Sequence, residues 1–164
     1  MNYNWEEIKW IFEHDGTLRD VYIQDINIQH WIVLIDFLNS NFVIKFGVFG
    51  EDRLDKIDKE YALKYLIRES DEIESKSISI IVDDILINCH LFSETEIEFD
   101  IDPKEIKTTL ELDKILNFMK LVSKQLNKQI ILTGENQIDF PLITVHKNEC
   151  LEYLTESEAQ KKWR

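Results

Sequence analysis

An α+β fold is predicted for this chain. It is read as a single domain over 1–164 with a mixed, mostly antiparallel sheet. The sheet is expected to hold an N-terminal hairpin and a central three-stranded meander at about 77–101, beside two main amphipathic helices at about 28–39 and 103–127. Three observations predict this. Residues 77–101 alternate apolar and polar side chains around turn residues, as consecutive antiparallel strands do. Ile28, Trp31, Ile32, Ile35 and Leu38 recur on one helical face, and Leu112, Ile115, Leu116, Met119, Val122 and Leu126 do the same. Strand-like and helix-like stretches are also segregated, where a parallel fold would alternate them as βαβ units.

In the first 25 residues, "IKWIFE" and "TLRDVYIQ" flank His14-Asp15-Gly16. Asp-Gly favours tight turns, so a hairpin is expected, with a short helix over Trp5–Ile11 as the alternative. The first long helix begins near Asn27, a good capping residue. "FVIKFGVF" (42–49) reads as a strand, and Tyr61, Leu63, Tyr65 and Leu66 mark a helix near 58–68. In the meander, a two-residue turn at Asp83-Asp84 places Ile78, Ile80 and Val82 on one face with Cys89, Ile87 and Ile85. A three-residue turn at Ser93-Glu94-Thr95 adds Leu91, Ile97, Phe99 and Ile101 to that face. Asp102-Pro103-x-Glu105 reads as a helix start, and Lys120, Lys124 and Lys128 suit its C-terminal end. "QIILT" (129–133), the loop "GENQIDFP" and "LITVH" (142–146) complete the core, and the segment from about 155 is peripheral.

The chain has 164 residues, 44% of them apolar and 31% charged, which fits one soluble domain. Its longest apolar run, Trp31 to Ile35, is far short of a membrane span. The N-terminus carries acids where a signal peptide carries bases, so a cytoplasmic location is expected. Cys89 and Cys150 lack metal-site or redox spacing, and His14, His30, His90 and His146 are scattered. Buried free thiols, no metal and no cofactor are expected. Net charge is −13, with 15 acids against 6 bases in residues 51–100. Such a field repels phosphate backbones and favours basic partners, which argues against direct nucleic-acid binding.

Glu94, Glu96, Glu98, Asp100 and Asp102 occupy every second position. On an extended strand, neighbours on one face lie about 6.5–7 Å apart. Each adjacent pair then repels by about 0.6 kcal/mol in water and about 2.4 kcal/mol at an effective dielectric of 20. Three readings follow: a solvated face, a docking surface for a basic protein, or a hard-cation site. Ligands along a single strand do not wrap an ion, which weakens the last. The same face carries Ile81, Leu86, His90 and Phe92, so the expected partner-binding set is Ile81, Leu86, His90, Phe92, Glu94, Glu96, Glu98 and Asp100. His90 is expected opposite Glu98. "TGENQIDFP" (133–141) is the most site-like loop, though a plain strand connection is the simpler reading. Trp5, Trp10, Trp31 and Trp163 read as core or terminal packing.

Asp15-Gly16-Thr17 resembles part of the D-x-D-G-T motif of haloacid-dehalogenase-type phosphatases. That resemblance puts Glu13 at the nucleophile position. A glutamate carboxylate there is displaced by about 1 Å, a shift that costs about a hundredfold in rate. Apolar stretches ending at Thr133 and at Asp83-Asp84 stand in the wrong order for that family's further motifs, so the turn reading is preferred. "DGTLRDVYI…HWIVLIDFLN" and "LDKILNFMKLVSKQLNKQIILTGEN" together resemble small acidic bacterial proteins, some of them immunity-protein-like. The resemblance covers about a third of the chain and implies no catalytic residues. The expected function is a non-enzymatic protein-binding module, an immunity or inhibitor protein that neutralises a basic toxin. A hydrolase with dispersed site residues and a structural subunit of an assembly are the alternatives.

Overall fold

The computed structural model describes residues 2–68 and 71–164. In chain order it contains α1 (Trp5–Ile8), a 3-10 turn (Lys9–Phe12), β1 (Arg19–Ile23), α2 (Ile28–Asn41), β2 (Val43–Gly47) and α3 (Lys59–Leu66). There follow β3 (Ser77–Val82), β4 (Ile85–His90), β5 (Ile97–Ile101), a second 3-10 turn (Pro103–Glu105) and α4 (Thr109–Leu126). The last elements are β6 (Ile130–Gly134), β7 (Ile143–Val145), β8 (Leu151–Tyr153) and α5 (Glu156–Lys162). The class is α+β, as expected, and the pairs β1–β6, β2–β3, β3–β4, β6–β7 and β7–β8 are antiparallel. Two compact units emerge: Met1–Tyr22 with Asp100–Arg164, and Ile23–Phe99.

In the Ile23–Phe99 unit the strands run β2-β3-β4-β5. The expected register holds: Ile78 faces Cys89, Ile80 faces Ile87, and Val82 faces Ile85 across the Asp83-Asp84 turn. Asp83 takes the left-handed conformation (φ 55°) that such a turn requires. Ile78, Ile80, Ile85, Ile87 and Cys89 are buried together with Ile44 and Phe46 of β2, Val82 is half-buried, and α2 contributes Trp31, Leu34, Ile35 and Leu38 to the core. The second turn is longer than expected. Strand β5 begins at Ile97, after a Leu91–Glu96 connection bonded to α2 and to the residue before its cap: Ser93 O accepts from Trp31 Nε1 (3.0 Å) and Thr95 O from the Ile26 amide (3.1 Å).

In the other unit the strands run β1-β6-β7-β8. Here the expected N-terminal hairpin is overturned. Residues 5–12 are helical: Asn4 caps α1 by accepting from the Glu6 amide, acids occupy the first turn, and Ile8, Ile11 and Phe12 form a buried i, i+3, i+4 stripe. Strand β1 finds its partner in β6 instead, with Arg19 opposite Gly134 and Tyr22 opposite Ile131. The expected helix at 103–127 also starts later. Asp102 and Pro103 open only a 3-10 turn, and α4 begins at Thr109 behind a reciprocal cap between Thr108 and Glu111. Short β8 and α5 escaped the pattern reading, since α5 buries only Ala159. Cys89 is buried, but Cys150 is exposed in the turn before β8, so its expected burial is corrected.

Candidate functional site

Two surfaces concentrate the residues singled out in the sequence, one in each unit. In the Ile23–Phe99 unit, strand alternation buries Ile44, Ile80 and Ile87 and turns their neighbours outward. The outward rows, read across β2, β3 and β4, are Val43–Ile81–Leu86 and Lys45–Ser79–Asn88. The first row is apolar where solvent favours polar side chains: Val43 is 61% exposed and Leu86 37%. Arg53 crosses the second row, its Nη2 donating to Lys45 O, Ser77 O and Ser79 Oγ while its guanidinium lies 5.8 Å from the Phe49 ring. His90 stacks on Phe92 at 4.7 Å with the planes 4° apart. Phe49 and Phe92 are both mostly exposed.

The predicted partner-binding set is only partly gathered here. Ile81 and Leu86 share one cross-strand row, and His90 and Phe92 form one stack. Glu94 and Glu96 lie in the connection before β5, Glu94 exposed and Glu96 half-buried, while Glu98 is half-buried within the strand. Asp100 is 8% exposed, so the expected exposed stripe is shorter than its spacing implied. Long-range packing covers the end of β5, a feature that alternation alone does not reveal. Val43 and Phe49 were missed; two apolar residues outside the stripe gave no local signal.

The second surface is a cleft of about 410 Å³ in the other unit. It joins the two stretches that carry the family resemblance. Pairing of Arg19 with Gly134 brings the 13–19 turn beside the 134–137 turn. Asp15 organises the first turn: its Oδ1 accepts from the Thr17 amide (3.0 Å) and hydroxyl (2.7 Å), and Gly16 supplies the positive φ. Beneath it Arg19 is buried, donating from Nε to Ile11 O, from Nη1 to Thr17 Oγ1 and Leu18 O, and from Nη2 to Glu13 O. Bonds from the Thr17 side chain and amide, with the Arg19 guanidinium, hold the Asp15 carboxyl well below the usual range. A carboxylate so stabilised is a poor proton donor or acceptor near neutral pH. The residue at the nucleophile position, Glu13, is exposed and follows a 3-10 turn where the phosphatase motif needs a strand. "DGTLR" is thus a structural turn.

Behind the second turn lies Asp20, buried and bonded to the Asn136 amide (2.7 Å) and Tyr22 hydroxyl (2.9 Å). Burial pushes its carboxyl up, the two hydrogen bonds oppose the shift, and nearby Asp100 and Glu135 add to it. A raised carboxyl stabilises the fold fully below the ordinary pKa of about 4 and loses that contribution as pH rises through the folded value. The melting temperature of Asp20→Asn relative to the parent is therefore expected to be more favourable at pH 8 than at pH 4. A difference independent of pH, measured by thermal melts across that range, would exclude the linkage.

Among the described residues, no group of three His, Cys, Asp or Glu side chains is placed to hold a metal ion. No helix among them is long and apolar enough to cross a membrane. No protein-family model and no curated protein matches the chain. Among solved structures, it is similar to a chain of the 1.75 Å crystal structure of the toxic C-terminal tip of CdiA from Pseudomonas aeruginosa in complex with an immune protein. That match covers 78% of this chain and 94% of the other, at 10% identity and a TM-score of 0.46.

Proposed function

We propose that the chain is a non-enzymatic, acidic protein-binding module of the immunity or inhibitor kind, and that it neutralises a basic protein such as a toxin. The observation that carries this reading is the outward Val43–Ile81–Leu86 row, an apolar strip in a unit that holds 16 acids against 7 bases. Apolar side chains left in solvent on a strand face gain free energy when a partner covers them. The surrounding carboxylates, with Asp83 and Asp84 at the adjacent turn and Glu94 and Glu96 beyond, select a cationic partner and accelerate encounter. Affinity would come mainly from the apolar residues and Phe92, and association rate from the rim charges.

The test compares the parent chain with Val43→Lys/Leu86→Lys in capture from source-cell lysate and in protection of cells against the captured protein. One basic protein retained by the parent, lost by the double variant and neutralised in cells is the expected outcome. Retention unaffected by the double variant would overturn the surface, and a captured protein whose toxicity is not neutralised would overturn the inhibitor role. With the partner in hand, Glu94→Lys/Glu96→Lys is expected to lower the association rate about tenfold at low salt, with the gap closing at high salt. Surface plasmon resonance at two ionic strengths reads this directly.

A further inference from the structure

We propose that the cleft between the 13–19 and 134–137 turns is a receptor for an organic cation, the guanidinium or ammonium side chain of a basic protein partner. That the cation arrives on a protein rests on the function proposed above; the selectivity of the cleft for cations does not.

Three features of the cleft select charge and shape. Its one lining cation, Arg19, has its donors committed to Ile11 O, Thr17 Oγ1, Leu18 O and Glu13 O and to the Asp15 carboxylate. An entering phosphate or carboxylate would meet no free donor on it. Against that one guanidinium stand three lining carboxylates, Glu13, Asp15 and Glu135. The Asp15 side chain is 57% exposed, so its charge reaches the cleft even though Arg19 lies beneath it.

Two aromatic side chains, Trp10 and Trp163, line the cleft together with these carboxylates. Trp10 and Trp163 meet edge to face at 6.2 Å and 88°, and Phe140 stacks on Trp163 at 5.1 Å. The Trp10 indole N–H is already given to Leu154 O, so Trp10 offers the cleft its π-system and no donor. Aromatic rings and carboxylates lining one cleft attract guanidinium and ammonium groups. A space of about 410 Å³ accommodates one such head with its methylene stem and is small for a folded segment.

The experiment is a titration of the full chain, isotope-labelled at its tryptophan indoles, with Nα-acetyl-arginine methylamide. The neutral isostere, Nα-acetyl-citrulline methylamide, and inorganic phosphate are run alongside, with putrescine as a free amine. Saturable shifts of the Trp10 and Trp163 indole signals are expected with the arginine probe, with the citrulline probe about tenfold weaker. Glu135→Gln, at an exposed turn position, is expected to weaken the arginine probe about threefold, and Trp163→Leu about tenfold. Equal binding of the two probes, binding of phosphate, or no saturable shift would overturn the cation assignment. Putrescine binding ten times tighter than the arginine probe would overturn a protein as the source. The surface and cleft assignments fail separately. Val43→Lys/Leu86→Lys is expected to leave this titration unchanged, and a chain that captures a basic protein without binding the arginine probe loses only the cleft assignment.

Discussion

Arg19→Ala is expected to lower stability by about 3–5 kcal/mol, a large part of the total stability of a domain this size. Arg19 is 5% exposed, and its guanidinium ties the end of the N-terminal helical segment, through Ile11 O, to the turn at Glu13, Asp15, Thr17 and Leu18. Alanine leaves the carbonyl of buried Ile11 without its donor, at a cost of about 1–3 kcal/mol, and empties the space of the side-chain stem. It also leaves the Asp15 carboxylate without its cation. Arg19→Lys is expected to recover less than half of the loss, since one ammonium with three donors cannot span acceptors that the planar guanidinium reaches in several directions. Urea unfolding reads both variants as shifts of the midpoint at constant slope. Asp15→Asn is a companion whose effect depends on pH. Because the folded carboxyl is depressed, its contribution is present above the ordinary pKa of about 4 and fades as pH falls below it, so the deficit of Asp15→Asn should shrink in acid. An Arg19→Ala midpoint within the error of the parent would mean that water replaces the guanidinium and that the turn forms without it.

The role of Arg19 marks where the sequence stopped being legible. Asp15-Gly16 declared a turn, and the structure has one; what the sequence withheld is which segments the turn joins. "WEEIKWIF" satisfies both a strand and a short helix, and the choice falls to the Asn4 cap and to burial of Ile8, Ile11 and Phe12. The β3–β4 register was readable because six apolar residues, Ile78, Ile80, Val82, Ile85, Ile87 and Cys89, share one face only if Asp83-Asp84 is a two-residue turn. Helix α2 was readable for the same reason, a stripe wide enough to admit one period. Asp100 was misread because alternation reports which side chains share a face, and burial of that face depends on distant chain. The cleft was illegible as a unit for the same cause. Its two turns were each noticed, but the contact that unites them joins Asp20 to Asn136, 116 residues apart. Trp10 and Trp163 gave no helical or strand period at all, and only their meeting at 6.2 Å gives them a surface.

Trp31→Ala is expected to cost about 3–5 kcal/mol, and Trp31→Phe about 1–2 kcal/mol. The indole is fully buried on the inner face of α2 beside Leu34, Ile35 and Leu38, so alanine opens a cavity that the helix cannot collapse into. Phenylalanine keeps most of that packing and removes the N–H bonded to Ser93 O. The two substitutions therefore separate packing from tethering. The Leu91–Glu96 connection lies outside the strands and is joined to its surroundings by the Trp31–Ser93 bond and by the Ile26 amide on Thr95 O. If the indole tethers this connection, Trp31→Phe will speed hydrogen exchange at the Ile26 amide by more than its global stability loss accounts for. Exchange that tracks global stability alone would make Trp31 a packing residue only. The distinction bears on binding, because Phe92 rides on the same connection and is 62% exposed. An aromatic anchor serves a partner best when its position is fixed before contact, since ordering it afterwards subtracts from affinity. For the partner proposed above, Trp31→Phe is accordingly expected to raise the dissociation rate several-fold while the association rate, assigned in that proposal to the acidic rim, stays within twofold of the parent.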